Sequence, residues 1–187
     1  MRITGGQAKG RRLASPKGLN IRPSSDHVRE AIFDMVGQAL PGLIVLDLFA
    51  GTGSLGLEAL SRGASHALFI DNSRQSINLI NKNLSLCGYQ VCGTVFRRDL
   101  KKGIPRGHPL LKYVFDLVFL DPPYGKNLLS PLLEALSTRN VLSSESKVIA
   151  ECSKTEKLPG SFGNLEMMVS RLYGDTRVSI YTNEVGQ

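Results

Sequence analysis

The sequence predicts an α/β protein with a doubly wound, mostly parallel sheet. From residue 43 onward, strand-like apolar runs alternate with helix-like segments, a pattern typical of parallel sheets covered by helices. The run LIVLDLF, residues 43–49, is almost continuously apolar, as expected for a strand buried on both faces. Because strand–helix–strand crossovers are right-handed, a doubly wound sheet is favoured, with ligands at the carboxyl ends of its strands.

Local sequence patterns place the individual elements. The first helix has Ser25 or Asp26 as its cap and ends before Pro41 and Gly42. A later helix, residues 73–88, starts at a Ser73 cap and stops at Gly88. In chain order, the predicted helices span 27–40, 54–63, 73–88 and 127–140. The predicted strands span 43–49, 66–71, 91–99, 114–121 (ended by Pro122) and 147–152, and an antiparallel pair covers 165–183 around the turn YGDT.

Length and composition indicate an ordinary soluble domain. The chain has 187 residues, of which 42% are hydrophobic, and a chain of this size buries about 70% of its unfolded surface. No apolar run approaches the roughly 18 residues of a membrane-spanning helix, and no secretory signal is visible. The three cysteines and three histidines lack metal-ligand spacing, so we expect no metal and no membrane association. We therefore expect a cytoplasmic protein with reduced thiols.

Positive charge is concentrated near the N-terminus. Residues 1–22 hold six basic residues and no acidic residue, whereas the whole chain has a formal net charge of +7. We expect this segment to be a basic extension, with a hairpin as its possible form, ahead of a single domain over residues 23–187. A second basic run, 97–112, is interrupted only by Asp99. Segregated charge predicts a polyanionic partner, and a solvated basic tail is the simpler alternative. The predicted RNA-binding residues are Arg2, Lys9, Arg11, Arg12, Lys17 and Arg22.

A glycine turn follows the first strand. The stretch GTGSLG, residues 51–56, has the G-x-G-x-x-G spacing of a dinucleotide site, and Asp71 stands 20 residues after Gly51. A carboxylate there can accept hydrogen bonds from a ribose, which NAD and S-adenosylmethionine both carry. Gly51 and Gly53 allow the backbone to pass close to a ligand. Gly56 is better explained by packing of the helix against the strand.

Asp47, at the end of the first strand, favours one of the two candidate ligands over the other. A pyrophosphate beside this carboxylate would bring like charges together, at a cost of several kcal/mol in a partly desolvated site. The sulfonium and ammonium of S-adenosylmethionine suit an acid, and its carboxylate can use N–H groups at the helix start. Asp99, after the third strand, either accepts from the adenine amine or pairs with the neighbouring arginines. The predicted cofactor residues in this part of the chain are Asp47, Phe49, Gly51, Gly53, Asp71, Asn72, Asp99 and Leu100.

The segment FLDPPY, residues 119–124, is the predicted catalytic element. Two prolines after an acid fix the backbone and remove two N–H donors, which leaves a cluster of acceptors. Tyr124 adds a flat surface on which a heterocycle can stack. Acceptors that hold both N–H groups of an exocyclic amine favour a nitrogen with its lone pair aimed at a methyl donor, and a carboxylate stabilises the developing positive charge. The predicted catalytic residues are Asp121, Pro122, Pro123 and Tyr124; a simple strand-terminating turn is the alternative.

Several blocks of the chain together resemble one family. RITGGQAKGRRL resembles its opening glycine- and arginine-rich hairpin, and RPSSDHVREAIFDMV, from Arg22, looks like its next block. LDLFAGTGSLGLEALSRGA and DPPY match its cofactor and catalytic motifs, and RLYGDTRVSIY is similar to its closing strands. On these blocks the chain resembles the RsmD-like methyltransferases, which transfer a methyl group to N2 of one guanine in small-subunit (16S) ribosomal RNA.

The resemblance carries expectations about fold, ligands and site. It implies the class I S-adenosylmethionine-dependent methyltransferase fold, S-adenosylmethionine as cofactor, and small-subunit ribosomal RNA, within an assembling 30S particle, as partner. It implies that Asp121 to Tyr124 hold the target guanine and that Ser24 approaches the cofactor. Two positions depart from the family: Asp71 stands where glutamate is frequent, and His27 stands where a basic residue is more common.

Other functions stay open on the sequence alone. An amine methyltransferase could act on adenine N6 of DNA or RNA, or on a protein glutamine, but the glutamine enzyme would not need the basic residues 1–22. A non-catalytic RNA-binding assembly factor would not need the acceptor cluster at Asp121. An NAD oxidoreductase is disfavoured by Asp47 and by the lack of a residue pair suited to hydride transfer.

Overall fold

The computed structural model describes residues 1–15, 26–104 and 114–184. The chain divides into two compact units, Met1–Arg98 and Asp99–Gln187, which we call the first and second units. The predicted boundary between a basic extension and the main domain, after residue 22, lies outside the described residues and stays a prediction. No helix in the described ranges is long and apolar enough to cross a membrane.

The first unit is a parallel three-stranded arrangement with helices between its strands. Its strand order is β3-β2-β1, and both neighbouring pairs are parallel. Helix α2 packs against β1 and β2, whereas α3 packs against β2 and β3. The elements in chain order are α1 (Asp26–Val36), β1 (Ile44–Leu48), α2 (Ser54–Ser61), β2 (His66–Asp71), α3 (Arg74–Cys87) and β3 (Gly93–Arg97).

The second unit combines one parallel pair with an antiparallel meander. Its strand order is β4-β5-β8-β7-β6; β4 and β5 are parallel, and the other pairs are antiparallel. The antiparallel pair predicted near the C-terminus is therefore confirmed as β7 and β8. The elements are a 3₁₀ turn η1 (Leu100–Lys102), β4 (Phe115–Leu120), α4 (Leu129–Ser137), β5 (Leu142–Ser153), β6 (Ser161–Phe162), β7 (Leu165–Tyr173) and β8 (Thr176–Asn183).

Several element boundaries differ from the sequence prediction, and two of the differences have a clear structural reason. Helix α1 ends at Val36 instead of continuing to residue 40, because Gly37 takes a left-handed φ of +124° and donates its N–H to Phe33 O. Strand β5 begins at Leu142, five residues before the predicted start. The stretch 143–146 is a bulge between the pairs Phe115–Leu142 and Leu117–Lys147, and its polar residues gave no strand pattern.

Residues 1–15, which we call the N-terminal arm, pack on the first unit. Arg2 and Arg12 form an antiparallel bridge, so the arm folds back as the expected hairpin. Three of its own apolar residues, Ile3, Ala8 and Leu13, are buried. Its backbone is tied to α2, because Ser61 Oγ donates to Gly5 O at 2.6 Å and accepts from Ala8 N–H at 2.9 Å. Over its described residues the arm is a docked element and not a solvated tail.

A buried charge cluster holds the arm to two helices. Glu58 of α2 is fully buried and pairs with Arg29 of α1 (3.2 Å) and with Arg62 (2.9 Å). The same carboxylate accepts from the N–H groups of Thr4 and Gly5 at 2.8 and 2.7 Å. Arg62 is the i+4 neighbour of Glu58, but Thr4, Gly5 and Arg29 lie 29 to 54 residues away, so periodicity alone did not reveal the cluster.

Candidate functional site

The glycine turn after β1 has an unusual backbone. Gly51 and Gly53 have φ values of +58° and +79°, which only glycine adopts at little cost. Phe49 also has a positive φ, +63°, a conformation that costs a bulky residue about 1–3 kcal/mol and that clusters at functional sites. A Cβ on Gly51 would meet no atom closer than 3.8 Å, so the space above this backbone is open. The turn can therefore admit a ligand against its main chain.

Asp71 supports the glycine turn from the end of β2. Its Oδ2 accepts from Gly51 N–H at 2.9 Å, and its Oδ1 accepts from Ser73 N–H at 2.8 Å. The side chain is largely buried. Since an ionised carboxylate offers about four acceptor positions, these two bonds leave capacity for hydroxyl donors of a ligand.

Asp47 is a buried part of the same turn. Only 2% of the residue is exposed, and its Oδ2 accepts from Gly56 N–H at 3.0 Å. A Cβ on Gly56 would lie 2.3 Å from Phe69 Cε1, which supports the packing role that the sequence favours for this glycine. The carboxylate thus lies against the first turn of α2, next to the glycine turn.

The start of α2 receives a side-chain acceptor from β1. Gly53, the N-cap residue, makes no side-chain cap bond of its own, but Asp47 Oδ2 accepts from the N–H of Gly56 in the first turn of the helix. The N–H groups of a helix's first turn, together with the positive end of the helix dipole, favour a small anionic group. Those that Asp47 does not occupy would suit a ligand carboxylate.

The other predicted cofactor residues occupy varied surroundings. Asn72 is exposed, and its backbone carbonyl accepts a hydrogen bond from Arg97 Nε at 3.0 Å. In the second unit, Asp99 caps η1 by accepting from Lys101 N–H at 3.0 Å, and Leu100 is buried. Ser24 lies outside the described residues. The choice between an adenine and an arginine partner for Asp99 stays a prediction.

The Asp-Pro-Pro-Tyr segment follows β4 in the second unit. Asp121 and Tyr124 are half-buried, Pro122 is buried and Pro123 is exposed. Tyr124 Oη lies 3.0 Å from the Oγ1 of Thr176, the first residue of β8. This contact fixes the far end of the tyrosine side chain, and only the tertiary structure reveals Thr176 as its partner.

The basic residues of the N-terminal arm are on its surface. Arg2, Lys9, Arg11 and Arg12 are all exposed, and Arg11 Nη1 donates to Leu86 O at the end of α3. Lys17 and Arg22 lie outside the described residues. The described part of the arm therefore presents four positive charges on a docked hairpin.

The cysteines are placed as small apolar residues. Cys87, Cys92 and Cys152 are free, and Cys87 and Cys152 are buried. Burial raises the pKa of the Cys152 thiol to about 11, and burial likewise raises the pKa of Cys87, so both stay protonated at neutral pH. Within the described ranges, no group of three or more histidine, cysteine, aspartate or glutamate side chains is placed to hold a metal ion.

Comparison with known proteins relates the chain to ribosomal RNA methyltransferases. A family described as "Conserved hypothetical protein 95" matches residues 1–182. "Putative rRNA methyltransferase YlbH" of Bacillus subtilis is 37% identical over 183 residues, 97% of this chain and 98% of its own length. "Ribosomal RNA small subunit methyltransferase D" of Escherichia coli K12 is 31% identical over 184 residues, 98% of this chain and 90% of its own length.

A solved structure gives the same result for the fold. The structure titled "Putative methyltransferase yhhF from Escherichia coli" superposes with a TM-score of 0.84 and 31% identity, over 100% of this chain and 99% of that one. The predicted class I methyltransferase fold is thereby confirmed. Since both the family match and the relatives span nearly the whole length, the chain belongs to the RsmD-like family of ribosomal RNA methyltransferases.

Proposed function

We propose that this protein transfers a methyl group from S-adenosylmethionine to the exocyclic N2 amine of a guanine in small-subunit ribosomal RNA, within an assembling 30S particle. The observation that carries the proposal is the Asp121–Tyr124 segment, a half-buried carboxylate on a proline-fixed turn beside an anchored aromatic ring. An acceptor cluster next to a flat ring suits a heterocycle that bears an amine.

The first unit fits the methyl donor. The open backbone above Gly51 leaves room for it, and Asp71 retains acceptor positions for ribose hydroxyls. The first-turn N–H groups of α2 that Asp47 does not occupy would suit the donor's carboxylate, while the buried charge of Asp47 suits its cationic centres and disfavours a pyrophosphate. These features support S-adenosylmethionine over NAD at the same turn.

Residues of the second unit would act on the target amine. S-adenosylmethionine, when bound, supplies a methyl group on a positively charged sulfur. The carboxylate of Asp121 and the carbonyls of Asp121 and Pro122 would accept the two amine N–H groups and orient the nitrogen lone pair. As the S–CH₃ bond breaks and the N–CH₃ bond forms, positive charge would grow on the nitrogen, and the Asp121 carboxylate would stabilise it. Loss of one amine proton to solvent would then give the neutral methylated base. Tyr124 would hold the base by stacking, which requires an unpaired or flipped nucleotide.

Thr176 provides a test of the role of Tyr124. Replacing Thr176 by valine removes the hydroxyl that meets Tyr124 Oη and leaves a side chain of similar shape. Because one hydrogen bond is worth roughly 0.5–1.5 kcal/mol, we expect kcat/KM for RNA methylation to fall about 2- to 12-fold. Thr176→Ser, which keeps the hydroxyl, is expected to retain most activity. Equal activity of the valine and serine variants would contradict the positioning of Tyr124 by Thr176.

The basic residues of the N-terminal arm, together with Lys17 and Arg22 beyond it, are proposed to bind RNA phosphates. If all six basic residues between Arg2 and Arg22 contact phosphates, a plot of log Kobs for RNA binding against log salt has a slope of about −4, at about 0.7 per single-strand contact. Changing Arg2, Lys9, Arg11 and Arg12 together to glutamine should make the slope shallower by about 3. As a control, Lys157→Gln alters an exposed charge of the second unit and should leave the slope unchanged. An unchanged slope in the fourfold variant would show that these four residues do not contact RNA phosphates.

The decisive experiment identifies the methylated product. The protein is incubated with methyl-labelled S-adenosylmethionine and unmodified small-subunit particles, in parallel with naked small-subunit RNA, and the RNA is digested to nucleosides. Label in N2-methylguanosine supports the proposal, and preference for particles supports the assembling subunit as substrate. Label in N6-methyladenosine would instead indicate an adenine N6 methyltransferase, and label in protein glutamine would indicate a glutamine methyltransferase. Absence of label with both substrates would favour the non-catalytic assembly factor.

A further inference from the structure

The amide of Asn83 links the N-terminal arm to the glycine turn. Asn83 lies on α3 and is fully buried. Its Oδ1 accepts from Ala14 N–H at 2.7 Å, and its Nδ2 donates to Ala14 O at 3.1 Å. The same Nδ2 donates to Thr52 O at 2.9 Å, in the middle of the glycine turn. One side chain therefore holds both the backbone of the arm and the backbone of the turn.

Only an amide of this length satisfies all three backbone groups. Both N–H donors and one acceptor position of Asn83 are in use, and aspartate or leucine would lose the donors. The three partners lie far from Asn83 in sequence, with separations of 69 residues for Ala14 and 31 for Thr52. No local reason such as helix capping explains an asparagine at this buried helical position.

A second contact joins the same two segments. Thr52 Oγ1 lies 3.6 Å from Met1 Sδ, and Leu13 N–H donates to Met1 O at 3.2 Å. The two ends of the arm thus meet beside Thr52, whose neighbours Gly51 and Gly53 have left-handed backbones. An opening of the arm would withdraw support from the turn on two sides.

We propose that Asn83 is a positioning residue that couples RNA binding by the arm to methyl-donor binding by the glycine turn. This inference rests on the proposed function, which assigns RNA to the arm and the donor to the turn. A methyl donor that fixes the conformation of the glycine turn also fixes the arm through Asn83. RNA that then binds to the arm loses less conformational entropy. The coupling is reciprocal, and each ligand tightens the other by the same factor.

The test measures this factor directly. S-adenosylhomocysteine binding is titrated by calorimetry with and without saturating poly(U), a single-stranded RNA that engages phosphate contacts and offers no guanine to the acceptor cluster. In the wild type, poly(U) is expected to tighten S-adenosylhomocysteine binding at least about fivefold. In Asn83→Ser, each ligand still binds but the factor falls to about 1. The same factor in Asn83→Ser as in the wild type, or a factor of 1 in the wild type, would overturn the coupling.

A matched control lies on the same helix. Asn81 is exposed and donates its Nδ2 to Ile77 O within α3, away from the arm and the turn. Asn81→Ser should keep the wild-type coupling factor. A general loss of stability would lower affinities in proportion without removing the ratio between them, which separates coupling from a purely structural role.

The wild-type protein offers an independent measurement if Asn83→Ser does not fold. Amide hydrogen exchange at Ala14 reports the bond to Asn83, and S-adenosylhomocysteine is expected to slow it at least about fivefold, although the proposed ligand site is the turn. Binding of S-adenosylhomocysteine without protection of Ala14 would overturn the inference and leave the proposed function standing. No binding of S-adenosylhomocysteine to the wild type would overturn both.

Discussion

Asp121→Ala is expected to lower the turnover of RNA methylation by about 10²–10³. The reason is electrostatic: in the proposed mechanism the carboxylate, which follows β4 and precedes two prolines, would face an amine that gains positive charge only as the methyl group transfers. Removing it raises the barrier without removing the predicted donor contacts, all of which lie outside this segment. Binding of S-adenosylhomocysteine should therefore stay nearly unchanged while kcat falls.

The measurement is single-turnover methylation of small-subunit particles with labelled donor, together with calorimetry of S-adenosylhomocysteine. Asp121→Asn separates charge from shape, because it keeps one acceptor oxygen and loses the negative charge. Glu134→Ala serves as the control, since it removes an exposed carboxylate from α4 of the same unit. Wild-type turnover in Asp121→Ala would remove the catalytic role from this residue.

Glu58→Gln is expected to destabilise the protein by about 3–5 kcal/mol, the cost of breaking a buried ion pair on one side. The glutamine has the same shape, so no cavity forms; the loss is the charge that Arg29 and Arg62 share. Arg29 is itself fully buried and would keep the carbonyl of Arg2 and the Asp26 carboxylate at 3.0 Å. Because the Asp26 side chain is 42% exposed, the positive charge of Arg29 would be only partly compensated. This is a large part of the roughly 5–15 kcal/mol that stabilises a typical domain.

Urea unfolding followed by circular dichroism measures this effect. Glu30→Gln is the matched control, because Glu30 is an exposed residue of α1 and its change should fall within about 0.5 kcal/mol of the wild type. The Thr4 and Gly5 amides, which donate to Glu58, should also exchange faster in the variant. A loss below about 1 kcal/mol would show that the cluster contributes little to stability.

Features set by neighbouring residues were predicted well from the sequence. Ser73 accepts from Ser76 N–H at the start of α3, and Gly88 ends that helix with a left-handed φ of +80°, both as predicted. Strand β2 occupies residues 66–71, the predicted range. Each of these depends on side-chain and backbone preferences within a few residues, which is the information that a local pattern contains.

Features set by distant residues were missed. The polar start of β5 has no strand pattern, yet pairing of Leu142 with Phe115 makes it a strand. The sequence also predicted Asp47 and Asp71 as cofactor residues. It did not indicate that their carboxylate oxygens accept hydrogen bonds from the N–H groups of Gly56 and Gly51. Such hydrogen bonds depend on which strand ends and loops meet, and that is decided by the whole fold.

By itself, the sequence determined the alternation of strands and helices, the glycine turn, the Asp-Pro-Pro-Tyr segment and the basic character of the first residues. These are properties of periodicity, backbone freedom and charge, which act over short stretches of chain. Only the tertiary structure decided that Glu58 is a shared buried anion, that Asn83 joins Ala14 to Thr52, and that Thr176 meets Tyr124. Most buried polar groups are hydrogen-bonded, and their partners come from whichever segments the fold brings together.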